Sequence, residues 1–158
     1  HPEYALVSSN ISLFDESGVW GKMRYPEKPQ RADFLFTIPF MHGAVGLRRE
    51  ALLSHGGYRV SRRTRRCEDL ELFMRLYAKG EMGYTIQEEL YAYREDLAAQ
   101  QRRRYRYRIE EAAVRLEGFA RLGLLPKGLL YAAKPLAVGL IPQKLLQRMK
   151  DQYYGRRE

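Results

Sequence analysis

The strongest constraint on this fold is a change in the spacing of apolar residues along the chain. Residues 5–14, ALVSSNISLF, alternate loosely and are rich in β-branched and aromatic types, the pattern of an extended strand. Asp15-Glu16-Ser17-Gly18 reads as a turn, and Val19-Trp20 can start a second extended stretch. The proline- and charge-rich run 21–33 is expected as a surface loop leading into a short helix near 31–38. Residues 39–47 are expected as a strand or strand-loop carrying His42. Arg48 to His55 reads as a short helix stopped by Gly56-Gly57. Residues 68–79 place Leu72, Phe73, Met74 and Leu76 at helical spacing, with acids in the first turn and Arg75 and Lys79 in the last, as the macrodipole prefers. Residues 82–93 read as a strand, a turn at Glu88-Glu89 and a second short strand.

Beyond residue 97 a helical period takes over. Tyr105, Ile109, Ala112, Leu116 and Phe119 recur at steps of four and three, with Arg102, Arg103, Arg104, Arg106 and Arg108 crowding the other face. Gly123 ends this helix, Pro126 can open another and Pro142 a last one. The chain thus divides into a mixed α/β part, residues 1–96, and a helical basic part, residues 97–158.

Its 158 residues suit one domain, and 45% hydrophobic content is enough for a core. Lys plus Arg is 28 against 19 Asp plus Glu, a net +9 that favours anionic partners such as nucleotide phosphates, nucleic acid or an acidic membrane. A single cysteine, Cys67, excludes an intrachain disulfide and a Cys-rich zinc site. It reads as a small buried hydrophobe. With only His1, His42 and His55, a histidine-based metal cluster is not expected. The chain begins at His1 without a signal-peptide pattern, which suggests a processed chain or a piece of a longer one.

The most informative stretch is residues 39–94. In order it carries His42, Arg48-Arg49-Glu50, Gly56-Gly57-Tyr58, Glu68-Asp69, Leu72-Phe73-Met74-Arg75-Leu76 and Tyr93-Arg94. This ordered set resembles the second half of the catalytic domain of family-2 glycosyltransferases, inverting nucleotide-sugar enzymes with the GT-A fold. Residues 1–18 also look like the family's strand and turn that follow its metal-binding aspartates. The resemblance implies an α/β chain with a partial GT-A (nucleotide-diphospho-sugar transferase) fold that lacks the N-terminal nucleotide-binding half. On this reading residues 1–96 are the acceptor-side part of the catalytic domain and 97–158 a helical extension.

An inverting transfer needs a base to take the proton of the acceptor hydroxyl as it attacks the anomeric carbon, and a carboxylate at a helix N-terminus can serve. By resemblance Asp69 is that base, and Glu68 beside it positions the acceptor or the loop. Taken alone, Glu68-Asp69 reads first as an acidic first turn that caps a helix, and it is the flanking pattern that raises the catalytic reading above this one. The resemblance places His42 and Arg48 on the acceptor side. It also places the arginine run 59–66, with Arg65 and Arg66 at its end, in a loop that closes over an anionic donor or acceptor; a solvated charged loop is the plainer alternative. The leaving diphosphate needs cations or a metal. The family uses an Asp-x-Asp pair for this, with Mg or Mn, but no Asp-x-Asp occurs in these residues. The expectation is therefore no metal in this chain and a divalent metal in the complete parent. Where many relatives have a His two residues after the Tyr-Arg, this chain has Asp96, so that Arg94 or the 102–104 cluster would approach the diphosphate instead. Arg94 can equally pair with Glu95 or Asp96 on the surface.

Residues 124–142 are apolar but are interrupted by Lys127, Lys134, Pro135 and Gly139, too short a run to span a membrane. With Lys144, Leu145, Leu146, Arg148, Met149 and Lys150 after it, this region reads as an amphipathic element on an anionic membrane leaflet, or as a hairpin packed on the domain or a partner. Relatives that build surface polysaccharides act on lipid-linked acceptors, which suits the first reading. The function implied is transfer from a nucleotide-sugar donor to a saccharide or lipid-linked acceptor in cell-surface polysaccharide synthesis, in the cytoplasm or peripherally at the inner face of the membrane. Two alternatives stand beside it. One is a catalytically inactive interaction fragment that self-associates through an open sheet edge. The other is a basic nucleic-acid-binding module, for which no recognised signature is present.

Overall fold

The computed structural model describes residues 1–94 and 105–154. The expectations placed on Glu95, Asp96 and Arg102–Arg104 lie outside the described residues, as do those on the side chains of Lys144 and Lys150.

The alternating segment forms β1, Tyr4–Asp15, the spine of a mixed four-stranded sheet. Along one edge it pairs antiparallel first with β3, Gly46–Leu47, and then with β2, Gly18–Met23. Along the other it pairs in parallel with β4, Met82–Arg94. The β1–β2 turn is tied by Asp15 Oδ1, which accepts from Ser17 N (2.8 Å) and Ser17 Oγ (2.6 Å). Gly18 at φ 108° takes the left-handed conformation that a side chain would resist.

One expectation about strands is corrected and a second is narrowed. No turn interrupts β4 at Glu88-Glu89: Ile86 pairs with Ser9, Glu89 with Asn10 and Tyr91 with Ile11, so the surplus residues are taken up as irregularities in one continuous strand. The fully buried Asn10 sits at this break, and its Oδ1 accepts from Tyr25 N at 2.8 Å. Residues 39–47 take the strand-loop form, with His42 off the strand. His42–Ala44 is a 3₁₀ turn, and only Gly46–Leu47 joins the sheet. Here Gly43 lets Tyr91 approach: a Cβ at this position would lie 2.7 Å from the Tyr91 hydroxyl. The helix expected near 31–38 is a 3₁₀ helix over Arg31–Leu35.

The longer helices fall where the sequence placed them: α1, Arg49–Ser54; α2, Glu68–Ala78; α3, Tyr105–Arg121; α4, Gly128–Leu140; and α5, Gln143–Tyr154. Seven of the eleven residues of α2 are buried, so it is covered nearly all round. Its surroundings are Leu6 of the sheet, Phe34 and Phe40 of the preceding segment, and Val114, Phe119 and Leu122 from the helical part, which share one core. The stripe expected on α3 is corrected in part: Phe119 is buried as expected, but Tyr105, Ile109 and Leu116 are exposed, and Val114, Arg115 and Gly118 face inward. α3 packs against both α2 and α4, so the face it buries is set by those two helices. Gly118 is the closest approach, because Met74 Sδ occupies the space a Cβ would need.

A similar constraint holds at Gly83 on β4. A methyl there would lie 2.5 Å from Phe40 Cζ and 2.7 Å from Leu6 Cδ1, both in the core. Gly83→Ala is therefore expected to destabilise the fold by about 1–3 kcal/mol. A urea unfolding midpoint equal to that of the wild type would contradict the close contact.

Candidate active site

The site is built at the N-terminal end of α2. Arg66, two residues before this helix, has φ 75°, an uncommon conformation for a side-chain-bearing residue, and it turns the chain into the first helical turn. Asp69 is half-buried there. Its Oδ1 accepts from Leu70 N at 2.8 Å, so one carboxylate oxygen serves the helix end. Burial pushes the Asp69 carboxyl above its ordinary value, and the charge of Glu68 adds to this. The Leu70 amide and the neighbouring His42 pull it back in part.

His42 comes to the same place from the 3₁₀ turn. Its Nε2 lies 2.8 Å from the Tyr58 hydroxyl, and its ring meets Phe73 of α2 edge-on at 6.0 Å. The Tyr58 hydroxyl is pushed up by burial and then by the charges of Asp69 and Glu68. Thus His42, Tyr58, Glu68 and Asp69 lie close enough for their charges to act on one another. Three of these four were candidates from sequence. Tyr58 was legible only as the residue after a glycine pair, and its partner in space is sixteen positions away.

Arg75 holds this arrangement from behind. Its guanidinium grips Glu71, one turn earlier on α2, through Nε to Oε1 (3.0 Å) and Nη2 to Oε2 (3.0 Å). The same side chain donates to two main-chain carbonyls of the α1–α2 connection: Nη2 to Gly57 O at 2.6 Å, and Nη1 to His55 O. The residue that precedes Tyr58 is therefore bolted to α2. Arg59 and Arg121 stand 3.9 Å from Glu71, and both also pair with Glu117 of α3. The i,i+4 spacing of Glu71 and Arg75 was the signal in the sequence.

The remaining candidates are placed elsewhere or left at the surface. Arg48 is not brought to the carboxylates: its Nε donates to Tyr4 O (2.7 Å) and its Nη2 to His1 O (2.8 Å), tying α1 to the start of β1. Arg94, at the end of β4, is exposed and lies 3.5 Å from Glu16 of the β1–β2 turn. Arg65 and Arg66 are exposed on the loop before α2, with the Arg66 guanidinium 5.9 Å from the Tyr107 ring centre. Within this loop the buried Thr64 Oγ1 donates to Arg59 O (2.6 Å) and accepts from Ser61 N (3.2 Å), which folds the arginine run into a tight turn. Cys67 is buried, and burial with the charges of Glu111, Asp69 and Glu68 pushes its thiol up to about 12. It is therefore a neutral thiol at physiological pH and a poor nucleophile.

Among the described residues no group of three or more His, Cys, Asp or Glu side chains converges as a metal site. The divalent metal implied by the resemblance belongs to an Asp-x-Asp pair, and that pair does not occur in this sequence.

Over 148 residues the chain is 37% identical to a protein of Bacillus subtilis (strain 168) named "Putative glycosyltransferase EpsE". The chain is similar to part of a glycosyltransferase. The matched region covers 94% of this chain and 53% of that protein, so the chain spans about half the length of the relative it matches. No family model matches the sequence, and no solved structure matches the chain. The similarity takes in the whole of residues 39–94 or nearly so, since only a tenth or less of the chain falls outside it.

Proposed function

We propose that the chain is the acceptor-side part of an inverting, GT-A-type glycosyltransferase of family 2. Such an enzyme moves a sugar from a nucleotide-sugar to a saccharide or lipid-linked acceptor during cell-surface polysaccharide synthesis. The observation that carries this reading is the convergence of His42, Tyr58, Glu68 and Asp69 at the start of α2, with a raised carboxyl at its centre.

In the proposed step the acceptor oxygen bonds to the anomeric carbon, the bond from that carbon to the diphosphate oxygen breaks, and the acceptor proton passes to Asp69. A carboxylate raised by burial holds that proton better than an ordinary aspartate does, as base catalysis requires. Glu68 and the His42–Tyr58 pair orient the acceptor hydroxyl toward Asp69. Arg65 and Arg66, exposed beside the site, are the cations available to the departing diphosphate. Arg48 is held by main-chain carbonyls, whereas Arg94, exposed and 3.5 Å from the exposed Glu16, stays available to an anionic group.

The test is acceptor-dependent release of nucleoside diphosphate by the protein that carries this chain, over a panel of nucleotide-sugars, with the product's anomeric configuration read by NMR. Release with inversion is expected. Retention of configuration, or no acceptor-dependent release with any donor, would sink the proposal.

A further inference from the structure

We propose that the outer face of α4, together with Phe36, is a docking surface for an anionic lipid bilayer. α4 turns to solvent a face made of Leu129, Leu130, Ala133, Lys134, Ala137 and Leu140. Leu130 is 83% exposed and Leu140 75%, values far from those of a packed helix. Phe36, itself 56% exposed, extends this surface: its ring meets Tyr131 edge-on at 5.2 Å, and its carbonyl accepts from Lys134 Nζ at 2.9 Å. Beyond the break at Ile141-Pro142, the next helix, α5, also carries exposed apolar side chains, Leu145 and Met149, one turn apart.

Two observations choose a bilayer over a protein partner. The first is chemical. Apart from Lys134 the exposed face of α4 offers no side-chain hydrogen-bonding group, whereas protein interfaces carry roughly one hydrogen bond per 100–200 Å². Hydrocarbon asks for none. The second is charge. Between Glu117 and Asp151 the sequence holds six lysines and arginines and no carboxylate. Lys127, which precedes α4, and Arg148 on α5 are both exposed, and an anionic leaflet would attract each of them. At 13 residues, about 20 Å long, α4 is too short to cross a hydrocarbon core, so it would lie in the interface. No helix among the described residues is long and apolar enough to cross a membrane. This inference rests on the surface alone and does not depend on the transfer reaction.

The test is co-sedimentation of the whole chain with phosphatidylcholine vesicles made with and without phosphatidylglycerol. Binding to the anionic vesicles alone, weakening as salt is added, is expected. Leu130→Asp with Leu140→Asp should lower the partition coefficient at least about tenfold, because a charge replaces each inserted side chain. Lys127→Ala with Arg148→Ala leaves the apolar face intact and should reduce the preference for anionic vesicles. Failure of the wild type to sediment with anionic vesicles would overturn the proposal, as would equal binding by the Leu→Asp variant. So would a dimer, seen by analytical ultracentrifugation, that the Leu→Asp changes dissociate, since a second copy would then be the occupant of the face.

Discussion

Asp69→Asn is expected to lower the rate of sugar transfer by about 10²–10⁴-fold, the usual contribution of a positioned base, while the fold keeps or slightly gains stability. The amide cannot accept the acceptor proton, but its carbonyl can still take the Leu70 N–H, so the helix end is preserved. The sign of the stability effect follows from the raised carboxyl. Burial disfavours the charged form of Asp69. Its folded pKa therefore lies above the reference value of 3.8, and the stability tied to its protonated form is fully present below 3.8 and lost as pH rises through the folded value. At neutral pH the wild type has lost that contribution, and the uncharged Asn variant has no such loss. The wild-type transfer rate should in turn rise with pH through the Asp69 titration, at a higher pH than for an ordinary aspartate. Two measurements on the complete protein check this: a pH–rate profile, and thermal melts of both forms at neutral pH. Full activity in Asp69→Asn would remove Asp69 as the base. Lost activity together with a collapsed melting temperature would point to a structural role instead.

Arg75→Met should cost about 3 kcal/mol, a fall in Tm of roughly 6–12 °C for a chain of this size. The Glu71 side chain is only 7% exposed, and without Arg75 its nearest cations are Arg59 and Arg121, at 3.9 Å rather than 3.0 Å. The carbonyls of His55 and Gly57 lose their donor in the same step. Glu71→Gln added to Arg75→Met should recover part of the loss, because the uncompensated buried carboxylate is gone. The clamp also fixes the residue before Tyr58, so the His42 ring resonances should show looser contact with Tyr58 in the single variant. A double variant less stable than Arg75→Met would show that the carboxylate is not the source of the penalty.

The order of elements was largely readable before the fold, because local rules carry it. The acidic start and basic end of α2, the glycines after α1 and α2, and the turn residues at 15–18 act over a few positions. Where the sequence misled, a distant contact had the deciding part. The α3 stripe of Tyr105, Ile109, Ala112, Leu116 and Phe119 satisfies a helical period, yet of these only Phe119 is fully buried, and α2 and α4 bury Val114 and Gly118 beside it. Glu88-Glu89 has turn-like composition, but continuous pairing with β1 carries β4 straight through it.

The sequence by itself determined which carboxylates open α2 and which residue types surround them, since helix capping and macrodipole preferences are local. Only the tertiary structure decided that His42 and Tyr58 meet beside Asp69, and that Arg75 holds the Gly57 turn to α2 while Arg48 is spent on the main chain of β1. Those pairings join positions from 16 to 47 residues apart. Burial at such a meeting point raises the Asp69 carboxyl, and no spacing rule contains that desolvation.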